Sequence, residues 1–282
     1  MVYPVFCCII INNGENLENI FEDIKKCPVC NNETFKPAFR KNVNNNDYQF
    51  IVCTQCELLF INPQPSTEML KKVYSAQYFE GRGYDSEVKK KYRLSIARKR
   101  IKPILRYFNN QSKGKSLLDV GCASGYFLKV AQDIGFNIQG VEISSYAANK
   151  ANELFNINVF CGTLKDYEME ANFFDIITCW DLFEHLKDPA DFLLKANQLL
   201  NDEGIIVIHI PVTDSLGYKM LRSKWKKINP LEHLFYFSEK NLNQLMSSHG
   251  FVLQNKKNVV ARILNRLKDN SLFIYKKVSV SK

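Results

Sequence analysis

The chain has 282 residues, 46% of them hydrophobic, enough for a full α/β core in one large domain or in one domain with a small appendage. Its formal net charge of +9 allows contact with nucleic acid, anionic lipid or acidic metabolites, but any Lys- and Asn-rich chain shows the same balance. No run approaches the roughly 18 apolar residues of a membrane-spanning helix, so no transmembrane segment is expected.

The opening "MVYPVFCCIII" is apolar for eleven residues and stops at Asn12-Asn13-Gly14. It has no positive flank and no small-residue cleavage site, so residues 1–22 read as a loose tail or a misassigned start rather than a signal peptide. Nine cysteines without a secretory signal point to the reducing cytoplasm rather than to a disulfide framework.

Cys27-Pro-Val-Cys30 and Cys53-Thr-Gln-Cys56 are two C-x-x-C pairs separated by 22 residues. Each pair presents two thiolates from one tight turn, and two such turns complete a tetrahedral sulfur site for zinc. "TFKPAFRKN" and "DYQFIV" read as the hairpin that brings the turns together. The pattern predicts a zinc ribbon over 23–65. Four sulfur ligands leave no open position for water, so the zinc would be structural. A redox C-x-x-C would instead open a helix after a strand. Such turns favour a left-handed residue after the second Cys; Asn31 adopts that conformation readily and Glu57 less comfortably. Cys7, Cys8, Cys122, Cys161 and Cys179 lack such partners and read as tail or core residues, although Cys122 falls in the glycine loop below.

Residues 66–113 read as a helical connector that caps the substrate side. Pro63 and Pro65 end the ribbon, Ser66 and Thr67 can cap a short helix, and "SEVKKKYRLSIARKRIKPILRYF" predicts a longer one that Pro103 kinks or breaks. Between Arg82 and Arg106 lie ten Lys or Arg and two acids. A solvated helix face is the plainest reading; a groove for an anionic substrate or for RNA is the functional one.

Residues 114–282 carry alternating strand and helix signals. "SLLDVGCASGYFLKV" is a strand, a glycine-punctuated turn and a helix start. No Lys-Ser/Thr follows, so it is not a phosphate loop, and its glycines lie four apart, unlike G-x-G-x-x-G. "FNIQGVEIS" is a second strand ending at Glu142, where an acid can bind both ribose hydroxyls. "INVFCGTL" is a third strand, and "FFDIITCWDLFEHL" a fourth that ends in Asp181, Glu184 and His185. "DPADFLLKANQLLNDEG" reads as a helix closed by Gly204, and "IIVIHIP" as a fifth strand. This order predicts a parallel sheet with right-handed crossovers and a ligand over the C-terminal strand ends.

Taken together these motifs resemble a class I S-adenosylmethionine-dependent methyltransferase, from about Ser116 to the C-terminus: "LLDVGCASGYF" the first motif, "GVEIS" the ribose acid, and "FFDIITCW…IIVIHIP" the later motifs. With the ribbon and "NPQPS…YF", the chain is similar to a bacterial subgroup found with cell-surface or small-molecule biosynthesis. The resemblance implies a Rossmann-like α/β fold with helices on both faces of the sheet, preceded by a small zinc ribbon. It implies that S-adenosyl-L-methionine is held by Asp119 (facing the ammonium), Gly121, Ala123, Gly125, Glu142 and Asp181, with Thr163 and Leu164 after Gly162 beside the adenine. Ala123 stands where the family loop has its middle glycine.

An alcohol or phenol acceptor must lose a proton, so histidines are candidate bases. His233, in "WKKINPLEHLFYFSEKNL", is preferred; His185 is expected to hold its loop. Glu184, Trp225 and Tyr236 are expected around the acceptor, His209 in the core, and His249 at a helix end before Gly250. No [DN]-P-P-[YF] follows the fourth strand, which reads against nucleobase N-methylation. The expected reaction is O-methylation of a small-molecule or cell-surface carbohydrate or lipid precursor. A zinc-ribbon rRNA methyltransferase is the alternative, and a non-catalytic interaction protein of the same fold a further one.

Overall fold

The computed structural model describes residues 21–66, 69–70, 87–254 and 268–278. A seven-stranded sheet forms the centre, from β6 (Ser116–Val120), β7 (Asn137–Glu142), β8 (Phe160–Cys161), β9 (Phe174–Trp180), β10 (Leu200–Pro211), β12 (Phe251–Leu253) and β13 (Asn270–Lys277). Its order is β12-β13-β10-β9-β6-β7-β8, in which β13 runs antiparallel to β10 and β12, and the other pairs are parallel. The run Ile205–Ile208 is fully buried, as a central strand covered on both faces requires.

Helix α1 (Glu87–Tyr107), α2 (Tyr126–Asp133), α3 (Ser145–Phe155), α4 (Pro189–Leu199), α5 (Leu216–Leu221) and α6 (Glu239–Ser248) complete the layers. Their starts follow local chemistry. Ser144 accepts from the Ala147 N–H, Asp188 from the Asp191 N–H ahead of Pro189, and Ser238 forms a reciprocal capping pair with Asn241.

The ribbon is a four-stranded antiparallel sheet in the order β11-β4-β3-β2: β2 (Phe35–Val43), β3 (Asn46–Cys53), β4 (Leu59–Ile61) and β11 (Phe235–Tyr236). A two-stranded pair of β1 (Phe21–Glu22) and β5 (Gln64–Pro65) lies beside it in sequence. Because β11 comes from the region after β10, ribbon and central sheet share one hydrophobic core in which Phe50, Phe60, Phe235 and Phe237 are buried.

Local expectations give way to packing at several points. Pro103 lies inside α1 without ending it, because Ala97, Ile101 and Ile104 are buried and anchor the helix on both sides of the ring. The helix expected to close at Gly204 ends at Leu199, since Leu200 already pairs with Phe174 and a register shift follows up to Ile205. A Cβ on Gly204 would lie 2.9 Å from the Asn201 carbonyl oxygen, so this shift needs glycine. The third strand shrinks to the two exposed residues of β8, at the sheet edge. Ser66 accepts from the Met69 N–H at 3.3 Å, as a cap should; Thr67 and residues 1–20 lie outside the described residues.

Candidate active site

The C-terminal ends of β6, β7 and β9 open into a cavity of about 940 Å³. Asp119, Gly121, Ala123, Glu142, Thr163, Leu164 and Asp181 line it, as do Glu184, His185 and His233. Gly125 does not; it ends the loop from below. Its φ of 74° is left-handed, and an added Cβ would lie 3.0 Å from the Ala151 Cβ of α3. Gly121 at φ 71° faces the same constraint against Leu182, 3.1 Å from an added Cβ. Ala123 adopts φ 48°, a conformation glycine takes more easily.

Glu142 braces this loop. Its Oε2 accepts from the Ala123 N–H at 2.8 Å and its Oε1 from the Ser144 N–H at 3.0 Å, and burial raises its pKa. Asp119 is 2% exposed and accepts from the Thr178 hydroxyl at 2.6 Å. Burial pushes its carboxyl up to about 7, although the Thr178 bond and the Arg100 charge pull the other way. A buried carboxyl short of positive charge, two left-handed glycines and a strand-end acid fit the ammonium, backbone and ribose of S-adenosylmethionine. The cavity also lies within the roughly 300–1,000 Å³ range of small-molecule sites.

Asp181 is already engaged. It accepts from Arg100, from Asn270 at 3.0 Å, and pairs with His209 Nδ1 at 2.8 Å. Burial opposes its ionisation, but the His209 bond and the His209 and Arg100 charges outweigh it and hold the carboxyl well below the usual range. His209 is thus a half-buried partner at a strand end, where a core residue was expected. Thr163 donates its hydroxyl to Asp166 at 2.5 Å, which fixes the turn after β8.

Glu184 and His185 lie in a 3₁₀ turn after β9, and His233 just before β11. Glu184 Oε1 is 3.8 Å from His185 Nε2 and 4.0 Å from His233 Nε2, and the imidazole centroids are 4.7 Å apart. Burial, with the Asp181 charge adding to it, raises the Glu184 pKa well above the carboxylate range. Trp225 and Tyr236, expected around the acceptor, are instead core residues, each 1% exposed. Trp225 donates to Asp269 at 2.7 Å and Tyr236 accepts from the Asn229 N–H at 3.1 Å, so their polar ends are used inside the fold. Cys122 and Cys179 are buried, and burial raises both thiol pKa values; Cys161 is exposed rather than in the core.

Sequence reasoning put a solvated face first for the basic run of α1, with a groove as its functional reading, and did not tell which residues face inward. Lys89, Arg93, Ile96, Ala97 and Arg100 all line the cavity, at the spacing of one helical face. The signal was present in that spacing but was masked by the many other charges of the run. Lys227 and Asn270 also line the cavity, without any local motif.

In the ribbon, the four sulfurs of Cys27, Cys30, Cys53 and Cys56 lie within 4.8 Å of one another. Cys27–Cys56 and Cys30–Cys53 separations of 3.5 Å exclude disulfides and approach the roughly 3.8 Å edge of a tetrahedral zinc–sulfur site. Both turns repeat one hydrogen-bond pattern: Asn31 N–H to Cys27 O at 2.9 Å, and Glu57 N–H to Cys53 O at 3.0 Å. Asn31 and Glu57 both take positive φ, 59° and 64°.

A methyltransferase-domain family matches residues 84–256, more than half of the chain. The chain belongs to this methyltransferase family. Its fold is the mostly parallel, helix-flanked sheet of class I S-adenosylmethionine-dependent methyltransferases, with a cysteine cluster compatible with a zinc ribbon. This methyltransferase is 35% identical over 112 residues to the ubiquinone biosynthesis O-methyltransferase of Coxiella burnetii, across 37% of this chain and 48% of the relative. The protein of that name from Actinobacillus pleuropneumoniae is 29% identical over 103 residues, covering 33% and 44%. The chain thus spans about half the length of the curated relatives it matches. Among solved structures, the magnesium protoporphyrin IX methyltransferase of Synechocystis PCC 6803, crystallised with bound SAH, superposes with a TM-score of 0.55. It is 13% identical, over 75% of this chain and 100% of that one, which shows a shared fold. No helix among the described residues is long and apolar enough to cross a membrane.

Proposed function

We propose that this methyltransferase transfers a methyl group from S-adenosyl-L-methionine to an oxygen of a small-molecule or cell-surface carbohydrate or lipid precursor, in the cytoplasm. The observation that carries the reading is one cavity that joins the loop bearing Asp119, Gly121 and Glu142 to the Glu184–His185–His233 cluster. The sheet order places β7 and β9 on opposite sides of β6, so Glu142 and Glu184 flank the glycine loop. The O-methyltransferase relatives support oxygen as the acceptor atom.

The cofactor, when bound, supplies an electrophilic methyl group. Asp119 would hold its ammonium, Glu142 its ribose hydroxyls, and Thr163 and Leu164 would border its adenine. Asp181, with Arg100, His209 and Asn270, shapes the rim between the cofactor and α1. His233 takes the acceptor's hydroxyl proton, and His185 holds the 3₁₀ turn that carries Glu184. Zinc on Cys27, Cys30, Cys53 and Cys56 would be structural. Residues 23–65 would then act as a wall for the methyltransferase domain of 114–282, with 66–113 as the cap.

The test is transfer of tritiated methyl from the cofactor to extract fractions sorted into RNA, polysaccharide precursors and small molecules. Label in an alkali-stable ether of a small molecule or saccharide supports the reading; label confined to RNA or to nitrogen overturns it. His233→Ala is expected to keep cofactor affinity and to lower turnover by about a hundredfold or more. His185→Ala is expected to lower stability or cofactor affinity together with turnover.

A further inference from the structure

Glu184, His185 and His233 have a geometry that acid–base work alone does not require. Their three ligand-capable atoms lie within 4.8 Å of one another. The carboxylate-to-imidazole distances of 3.8 and 4.0 Å exceed hydrogen-bond length. They match two ligands on one ion instead: at about 2.1 Å from a metal, ligand atoms stand about 3.0–4.2 Å apart, depending on the angle. A second observation points the same way. Glu184 is 1% exposed, and its Oε2 has no hydrogen-bond partner among the described residues. To ionise there, the carboxyl needs a compensating positive charge, and among the described residues no Lys or Arg bonds it. Two segments of chain build the group: two ligands follow β9 in one 3₁₀ turn and the third precedes β11, fixed by the Leu234 N–H bond to the Glu184 carbonyl at 2.9 Å.

We propose that Glu184, His185 and His233 form a second metal site, distinct from the ribbon cysteines, for a divalent transition ion such as Zn²⁺, Mn²⁺ or Fe²⁺. Two imidazoles and one carboxylate suit these ions, whereas Ca²⁺ and Mg²⁺ prefer an all-oxygen ligand set. Three protein ligands leave positions open, and all three residues line the cavity, so an oxygen donor of a substrate can complete the coordination. The ion site stands on the geometry alone; its use in holding the acceptor oxygen rests on the function proposed above. With the ion bound, His233 is a ligand, and a coordinated hydroxyl releases its proton to water rather than to the imidazole.

The experiment titrates Co²⁺ into zinc-loaded full-length protein and follows visible absorption together with metal content by mass spectrometry. The expected result is one cobalt per chain beyond the ribbon zinc, with d–d bands but without the thiolate charge-transfer band of a sulfur site. Glu184→Gln, His185→Ala and His233→Ala should each lose this cobalt and keep the ribbon zinc, which also reports that they fold. Uptake of no ion beyond the ribbon equivalent, or cobalt retained in Glu184→Gln and His233→Ala alike, overturns the site. A chelator arm separates the two readings. Turnover that is lost when the second ion is stripped and restored by Mn²⁺ or Zn²⁺ supports the ion's role. Methyl transfer that proceeds fully without the ion leaves His233 as the base and overturns that role while the proposed function stands.

Discussion

Replacing Glu142 by Gln changes one atom and tests the cofactor site directly. The carboxylate is 5% exposed and serves two backbone donors, Ala123 at 2.8 Å and Ser144 at 3.0 Å. Glutamine supplies one acceptor oxygen, so its amide group must face one of those N–H groups. The ribose hydroxyls would then lose a charged acceptor, and bonds to charged groups contribute about 1.5–3 kcal/mol. That corresponds to an affinity weakened roughly ten- to 150-fold, at 1.36 kcal/mol for each factor of ten. Glu142→Ala goes further and leaves both N–H groups unpartnered inside the fold, at about 1–3 kcal/mol for each. Calorimetry with S-adenosylhomocysteine reads the first effect, and thermal unfolding without ligand separates it from the second. Unchanged affinity in folded Glu142→Gln would remove this residue from the ribose site.

Three more outcomes are expected. Asp119 holds its proton in the folded chain up to about pH 7, while the unfolded chain releases it near the ordinary 3.8, so its contribution to ligand-free stability falls as pH rises between those values. A bound ammonium reverses that preference: S-adenosylmethionine should bind more tightly from pH 5.5 up to about 7 and release a proton on binding, seen as a buffer-dependent calorimetric heat, whereas a pH-independent affinity counts against Asp119 as its partner. Cys27→Ser should lose the ribbon metal by elemental analysis and, through the β4–β11 pairing of Phe60 with Phe235, lower acceptor turnover while cofactor affinity persists; zinc retained in a variant with all four cysteines changed to serine would sink the assignment. Gly140→Ala would place a Cβ 2.6 Å from Leu128 Cδ1 and 2.9 Å from Cys122 Sγ, behind the glycine loop, so about 1–3 kcal/mol of stability should be lost in chemical denaturation.

The sequence by itself determined whatever is encoded within one element or one turn. Alternating apolar runs and caps gave the strands and helices from Ser116 onward, because periods of two and 3.6 residues are local properties. The two C-x-x-C turns were legible for the same reason: each needs only its own backbone, with Asn31 and Glu57 in the left-handed region. The glycine loop and Glu142 were readable as a strand end followed by a turn, since a βα unit fixes where such residues point.

Tertiary structure decided what depends on segments distant in the chain. Nothing local shows that Phe235–Tyr236 joins the ribbon sheet, a pairing that puts Tyr236 in the core, or that Trp225 is buried with its indole N–H on Asp269. Nor does the basic run before Pro103 show which of its charges face inward; that follows from how α1 packs on α2 and sets Arg100 against Asp181. His185 and His233 stand 48 positions apart in sequence, and only the crossover from β9 to β11 brings both imidazoles to one carboxylate. Such convergence is a property of loop closure and core packing summed over the whole chain, so no window of sequence contains it.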